Sequence, residues 1–259
     1  MNPLQRALIE KGGNDNGFEY VLASEQSGVM LASARHLTRV MIVLENGAYQ
    51  AHFQAASPTL LLELQRSFPQ QGVESGRFTF DTETALAVLL RRAASLSRAL
   101  PDQAATDYQH AVTAELAEFS AGIIGTEVER LVRQRVGQNK FRSAMLDYWG
   151  NACAVTGITI PAVLRASHTK PWVECASDAE RLDVFNGFLL SSNLDALFDS
   201  FLISFDENGR LIIAPALIGK DLLLLGIVAE MKLRWVTPKH QSYLVMHRAR
   251  LLKKDYLKS

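Results

Sequence analysis

The sequence predicts an α+β fold arranged in two domains, on three observations. Residues 18–53 read as short apolar runs separated by turn residues, the signature of antiparallel strands. Farther on, Leu86, Leu89, Leu90, Ala93, Leu96 and Leu100 recur at helical spacing. Charge is divided as well: ten basic residues face fifteen acidic ones through Arg130, and seventeen face twelve after it, although the whole chain balances at 27 and 27. At 259 residues, two domains of ordinary size fit better than one. A hydrophobic fraction of 48% with 21% charged residues supplies a core and excludes disorder as the main state.

Strands are expected over residues 18–22, 29–31, 39–44 and 48–53. Asn46-Gly47, between the last two, tolerates positive φ at both positions and so suits a type I′ hairpin turn. Ser57-Pro58 offers an N-cap followed by a first-turn proline and opens a helix through about Arg66; Arg77-Phe-Thr-Phe80 is one more strand. The leucine-rich helix runs until Pro101 stops it, and residues 108–119 form a second, more acidic helix. Gly122 and Gly125 mark a joint, which gives an α+β accessory domain over residues 1–121 and a second domain over 122–259. Thr126-Glu-Val-Glu129 matches a capping box and starts a helix to about Gly137, after which Phe141, Met145 and Trp149 share one helical face. Short strands, one helix and a hairpin around residues 206–209 follow. From 232 to 258 eight Lys or Arg stand against Asp255 alone, with Trp235, Tyr243 and Tyr256 among them.

The opening Met-Asn-Pro-Leu-Gln-Arg does not lead into a signal-peptide apolar stretch, and the most apolar run, 222–231, is too short to span a bilayer and holds Glu230. The expectation is a cytoplasmic protein with no membrane partner. Cys153 and Cys175 are too few for a disulfide framework or a paired-cysteine zinc site.

The chemistry concentrates in Arg165-Ala-Ser-His168-Thr-Lys-Pro-Trp172 and Asn186-Gly-Phe-Leu-Leu-Ser-Ser-Asn-Leu-Asp195-Ala-Leu-Phe-Asp199. Residues 163–168 have the apolar content of a strand end, 178–183 form a polar loop with four charges, and 187–190 form a short strand. Ser192 or Asn193 can then cap a helix on which Asp195 and Asp199, four apart, share a face. Carboxylates one turn apart suit a hard divalent cation, and a neutral imidazole on the neighbouring strand suits proton abstraction from water. Phosphodiester hydrolysis uses all of these parts. Each also has a plain structural reading, since a lone His near a strand end often only packs and an i, i+4 Asp pair is often a solvated face.

Taken together, these motifs resemble the HNH endonucleases of the ββα-metal fold. The similarity rests on Cys153-Ala-Val-Thr-Gly157, Ala166-Ser-His-Thr-Lys-Pro-Trp172, Asn186-Gly-Phe-Leu-Leu190 and Leu197-Phe-Asp199, with Tyr243-Leu-Val-Met-His-Arg248 echoing the family's closing segment. The resemblance implies that His168 is the general base and that Asn186 ties the loop to the His strand. It also implies that Asp195 is a metal ligand, Asp199 a second one, and the cofactor a divalent ion, Mg²⁺ or alternatively Mn²⁺. Products would carry 5′-phosphate and 3′-hydroxyl ends. Two departures stand out: Ser167 occupies a position where many members place an Asp or His ligand, and Thr156 falls where a paired zinc-knuckle cysteine would stand. No structural zinc is expected, and Cys153 and Cys175 read as buried small hydrophobes.

Lys170 and Arg181 flank the segment as candidate phosphate contacts, His247 and Arg248 belong to the closing segment, and the basic end of the chain suits backbone tracking. The expected protein is thus a metal-dependent, restriction-like HNH endonuclease acting on DNA. Its first domain would serve recognition or homodimerisation. The alternative is a non-catalytic DNA-binding protein on a degenerate HNH scaffold, favoured by Ser167; a secreted toxin nuclease is a further enzyme reading.

Overall fold

The computed structural model describes residues 1–54, 57–73, 76–118 and 126–251. The chain divides into two compact units, Met1–Gln103 and Ala104–Ser259. The expected joint at Gly122 and Gly125 lies outside the described residues, as do Tyr256 and the last lysines.

In the first unit, α1 (Pro3–Asp15) is an element the sequence reading does not anticipate. Its signal is local: the Asn2 side chain accepts from the Gln5 amide while the Gln5 side chain accepts from the Asn2 amide, a reciprocal cap followed by Pro3 in the first turn. Strands β1 (Tyr20–Ser24), β2 (Val29–Ala32), β3 (Arg39–Glu45) and β4 (Ala48–Gln54) follow. β3 and β4 pair from Arg39↔Gln54 to Glu45↔Ala48, and the two residues left between them take φ of 52° at Asn46 and 82° at Gly47, as the type I′ reading requires.

The helix α2 (Pro58–Ser67) begins at Pro58, and β5 (Gly72–Val73) and β6 (Arg77–Phe80) complete a six-stranded antiparallel sheet ordered β1-β2-β3-β4-β6-β5. The last helix, α3 (Glu83–Ala99), starts at a Thr82 cap and buries Leu86, Leu89, Leu90, Ala93 and Leu96, packing on β4 and β6. Leu100 is extended and Pro101 opens α4 (Pro101–Ala117), so the proline that ends one helix begins the next.

In the second unit, α5 (Thr126–Trp149) runs 24 residues without the expected stop at Gly137. That glycine is there for space: a Cβ on it would overlap the Trp172 ring. Phe141, Met145 and Trp149 are all buried on the inner face of α5. Next come β7 (Leu164–His168), α6 (Asp178–Leu182), β8 (Gly187–Ser191) and α7 (Ser192–Asp199). The stretch read as a polar loop is in part the short helix α6, capped by Ser177 Oγ accepting from the Glu180 amide. β7 and β8 pair antiparallel from Leu164↔Ser191 to His168↔Gly187, and α7 packs against both strands.

β9 (Ile203–Phe205) and β10 (Leu211–Ile213) form the expected hairpin, turned by Asp206, whose Oδ1 accepts from the amides of Asn208 and Arg210. Helices α8 (Gly219–Leu224) and α9 (Pro238–Leu251) complete the described fold, and α9 packs on β9. Among the described residues no helix is long and apolar enough to cross a membrane.

Candidate functional site

His168 ends β7, and three neighbours fix its ring. Phe141 of α5 stacks on it with centroids 3.7 Å apart and planes 19° apart, while Trp172 meets it edge-on at 5.6 Å. Nε2 lies 2.8 Å from the Arg181 carbonyl oxygen, which can only accept, so Nε2 carries the proton and Nδ1 holds the lone pair. Burial holds the imidazole pKa below its ordinary value, opposed by the Arg181 bond, and the ring is neutral at pH 7. The close approach of α5 needs Gly187 opposite His168, because a Cβ there would crowd the Ser167 carbonyl and stand 2.9 Å from the Phe141 ring.

Asn186, just before the Gly187 that pairs with His168, is fully buried and uses its whole amide. Oδ1 accepts from the Lys170 amide at 2.8 Å, and Nδ2 donates to the Glu180 carbonyl at 3.1 Å, with the Lys170 carbonyl and Cys175 Sγ each at 3.4 Å. The Asn186 carbonyl also accepts from the Thr169 amide at 2.9 Å. One side chain thereby joins the segment after His168 to α6 and to the buried Cys175.

His168 lines a pocket of about 290 Å³ with Pro171, Trp172, Asp199, Phe201 and His247. The Asp199 carboxyl is pushed up to about 6, by burial first and the Asp195 charge second. His247 is 1% exposed and stacked on Phe198 at 3.9 Å; Nε2 donates to the Phe198 carbonyl at 3.1 Å and Nδ1 accepts from Ser204 Oγ at 3.0 Å. Burial pushes its pKa down to about 4. Asp195 does not line this pocket: its Oδ1 accepts from Ser167 Oγ at 2.5 Å.

The other sequence candidates serve as braces in this geometry. Lys170 Nζ donates to Glu180 Oε1 at 2.7 Å, and its side chain is only 19% exposed. Arg181 holds Asp178 Oδ1, the Trp172 carbonyl and the Cys175 carbonyl at 2.9, 3.2 and 2.7 Å. Arg248 Nη1 donates to the Phe205 carbonyl at 2.9 Å. The structure therefore places His168, Asp199 and His247 around one pocket, uses Asn186 to tie down the segment after His168, and ties Lys170 and Arg181 into the surrounding loop. Sequence reasoning placed Phe141 only on a helical face and gave Trp172 no role, although the latter stands inside the motif that carries His168.

The expected divalent cofactor does not fit the structure. Among the described residues no three His, Cys, Asp or Glu side chains converge closely enough to hold a metal ion. The reason lies in how the donors are used: His247 has both ring nitrogens engaged, and Asp195 is hydrogen-bonded to Ser167 away from the pocket that holds Asp199. The residues present do not fit an Mg²⁺ or Mn²⁺ site.

Residues 153–206 match the family model for HNH endonuclease, a small region of helices and strands following a mixed α/β N-terminal region. The match contains His168, Asn186, Asp195 and Asp199, while Phe141 and His247 lie outside it. No curated protein matches the chain.

Proposed function

We propose that the second unit is a DNA-binding module built on a degenerate HNH scaffold, with β7, β8 and α7 as the remnant of the family's two strands and helix. The observation that carries this reading is the Ser167–Asp195 hydrogen bond, which turns the expected ligand carboxylate toward a neighbouring hydroxyl. The family match supports DNA as the partner, and so does the excess of five positive charges after Arg130. In this reading residues 122–259 carry backbone affinity, and residues 1–121 form an accessory domain for recognition or for pairing of two copies.

The test is a supercoiled plasmid, methylated and unmethylated, incubated with the full chain in Mg²⁺, Mn²⁺ or chelator. A gel shift without nicking is the expected result. Nicking that His168→Ala abolishes would overturn it and install the second reading, phosphodiester hydrolysis. One observation favours that second reading: the proton on Nε2 leaves the His168 Nδ1 lone pair for a water in a pocket shared with Asp199.

A further inference from the structure

We infer that Arg250 is a phosphate-contacting residue at the rim of the His168 pocket and that Glu174 occupies its guanidinium as an internal stand-in for phosphate. This rests on the DNA-binding reading and names the residue that competes for that partner. Arg250, in the last turn of α9, makes a two-pronged contact to Glu174 just after Trp172: Nη1 donates to Oε1 at 2.8 Å and Nη2 donates to Oε2. The same guanidinium stands 5.2 Å from the centroid of the Phe201 ring. Trp172, two residues before Glu174, and Phe201, against the Arg250 guanidinium, both line the pocket.

Three features separate this pair from an ordinary brace. The side chains are 41% and 39% exposed, so an incoming anion reaches them and their mutual attraction adds little to stability. A phosphodiester offers two oxygens in the same fork geometry that Glu174 offers, and Arg is the side chain suited to it. Phe201, which supports the guanidinium from beneath, has a φ of 58°, a left-handed conformation that a bulky residue adopts only when its surroundings impose it. If Glu174 is displaced, the Phe201 contact still holds the guanidinium. The residues already bracing the loop, Lys170 and Arg181, are tied to Glu180 and Asp178. The chain beyond Arg250 is basic in sequence, with Lys253, Lys254 and Lys258.

The experiment measures binding of the full-length protein to a fluorescent duplex over a salt series, using wild type, Glu174→Gln, Arg250→Gln and the double variant. Circular dichroism and thermal melting check that each is folded. Glu174→Gln should tighten binding about threefold, the scale of a half-exposed ion pair, because the competitor is gone. Arg250→Gln should weaken binding and lower the slope of log K against log salt by about one phosphate contact. In the Arg250→Gln background, Glu174→Gln should have no effect. A gain that persists there would mean only general charge removal, and weaker binding by Glu174→Gln would mean the pair is a structural brace; either result overturns the inference and leaves the DNA-binding reading standing. Absence of duplex binding by both wild type and Glu174→Gln would overturn both.

Discussion

The Phe141 ring lies nearly parallel to the His168 imidazole, with centroids 3.7 Å apart. This contact shields one face of the histidine from water and gives α5 its grip on the β7–β8 hairpin. Phe141 is 2% exposed, so Phe141→Ala should destabilise the second unit by about 3 kcal/mol or more through lost burial and the cavity left behind. Water entering that space should also raise the His168 pKa toward 6.5, since burial is what holds it down. An NMR titration of the histidine resonances measures this. An unchanged His168 pKa in the folded variant would remove Phe141 as the source of desolvation.

Gly137 supplies a second check on the same helix. An alanine is ordinarily worth up to about 1 kcal/mol over glycine inside a helix. At position 137 the added methyl would overlap the Trp172 ring, so Gly137→Ala should instead destabilise by about 1–3 kcal/mol and shift the tryptophan emission. Gly12→Ala is the control: it sits in α1 with nothing within 4 Å of the added carbon, and it should stabilise the first unit. Equal effects of the two substitutions, read by urea unfolding, would mean that Trp172 does not stand against Gly137.

What the sequence makes legible follows the range of the forces involved. Asn46-Gly47 announces its hairpin because the demand for positive φ is local to two residues. The reciprocal Asn2 and Gln5 cap is equally local, yet it is easily passed over when an N-terminus is read only for targeting signals. Gly137 misleads because its reason, the Trp172 ring, is 35 positions away, and from sequence a glycine in a helix reads as an end. The ordered motifs around His168 and Asn186 mark the region that matches the HNH endonuclease family from the sequence alone, since they are a linked set. The metal expectation failed for a different cause: two aspartates on one helical face say nothing about whether Ser167 has already engaged one of them.

Asn186 is the residue whose replacement should disturb the site most without touching the pocket. Asn186→Ala leaves the half-buried Lys170 amide without its acceptor and the Glu180 carbonyl without its donor. At about 1–3 kcal/mol for each fully buried group left unpaired, and less for these half-buried ones, the expected loss is about 2 kcal/mol. Because Thr169 and Lys170 follow His168 directly, the segment should loosen, and hydrogen exchange at the Thr169 and Lys170 amides should quicken well beyond that at β9. Uniform acceleration across the second unit would show a general stabiliser instead of a loop tie.

The last prediction concerns pH. Trp149, Trp172 and Trp235 all belong to the second unit, so tryptophan fluorescence in urea reports that unit. His247 has a pKa pushed from 6.5 down to about 4 by burial. Above about pH 6.5 the ring is neutral whether folded or not, and no proton is exchanged on unfolding. Below it the unfolded chain takes up a proton that the folded chain refuses until about pH 4, so stability must fall through that window. A shift of this size corresponds to about 3 kcal/mol, and His168, lowered for the same reason, acts in the same direction. Asp199 opposes them: its carboxyl is raised from 3.8 to about 6, so the folded state holds the extra proton between those values and gains stability as pH falls. The Asp199 carboxyl is only partly buried and the residue as a whole is exposed, so solvent screening reduces its share and the histidines prevail. His247→Gln should be less stable than wild type at pH 7, because the Ser204 and Phe198 contacts are built for an imidazole, yet show a shallower decline between pH 6.5 and 4. The same decline in that variant would move the titration to another group.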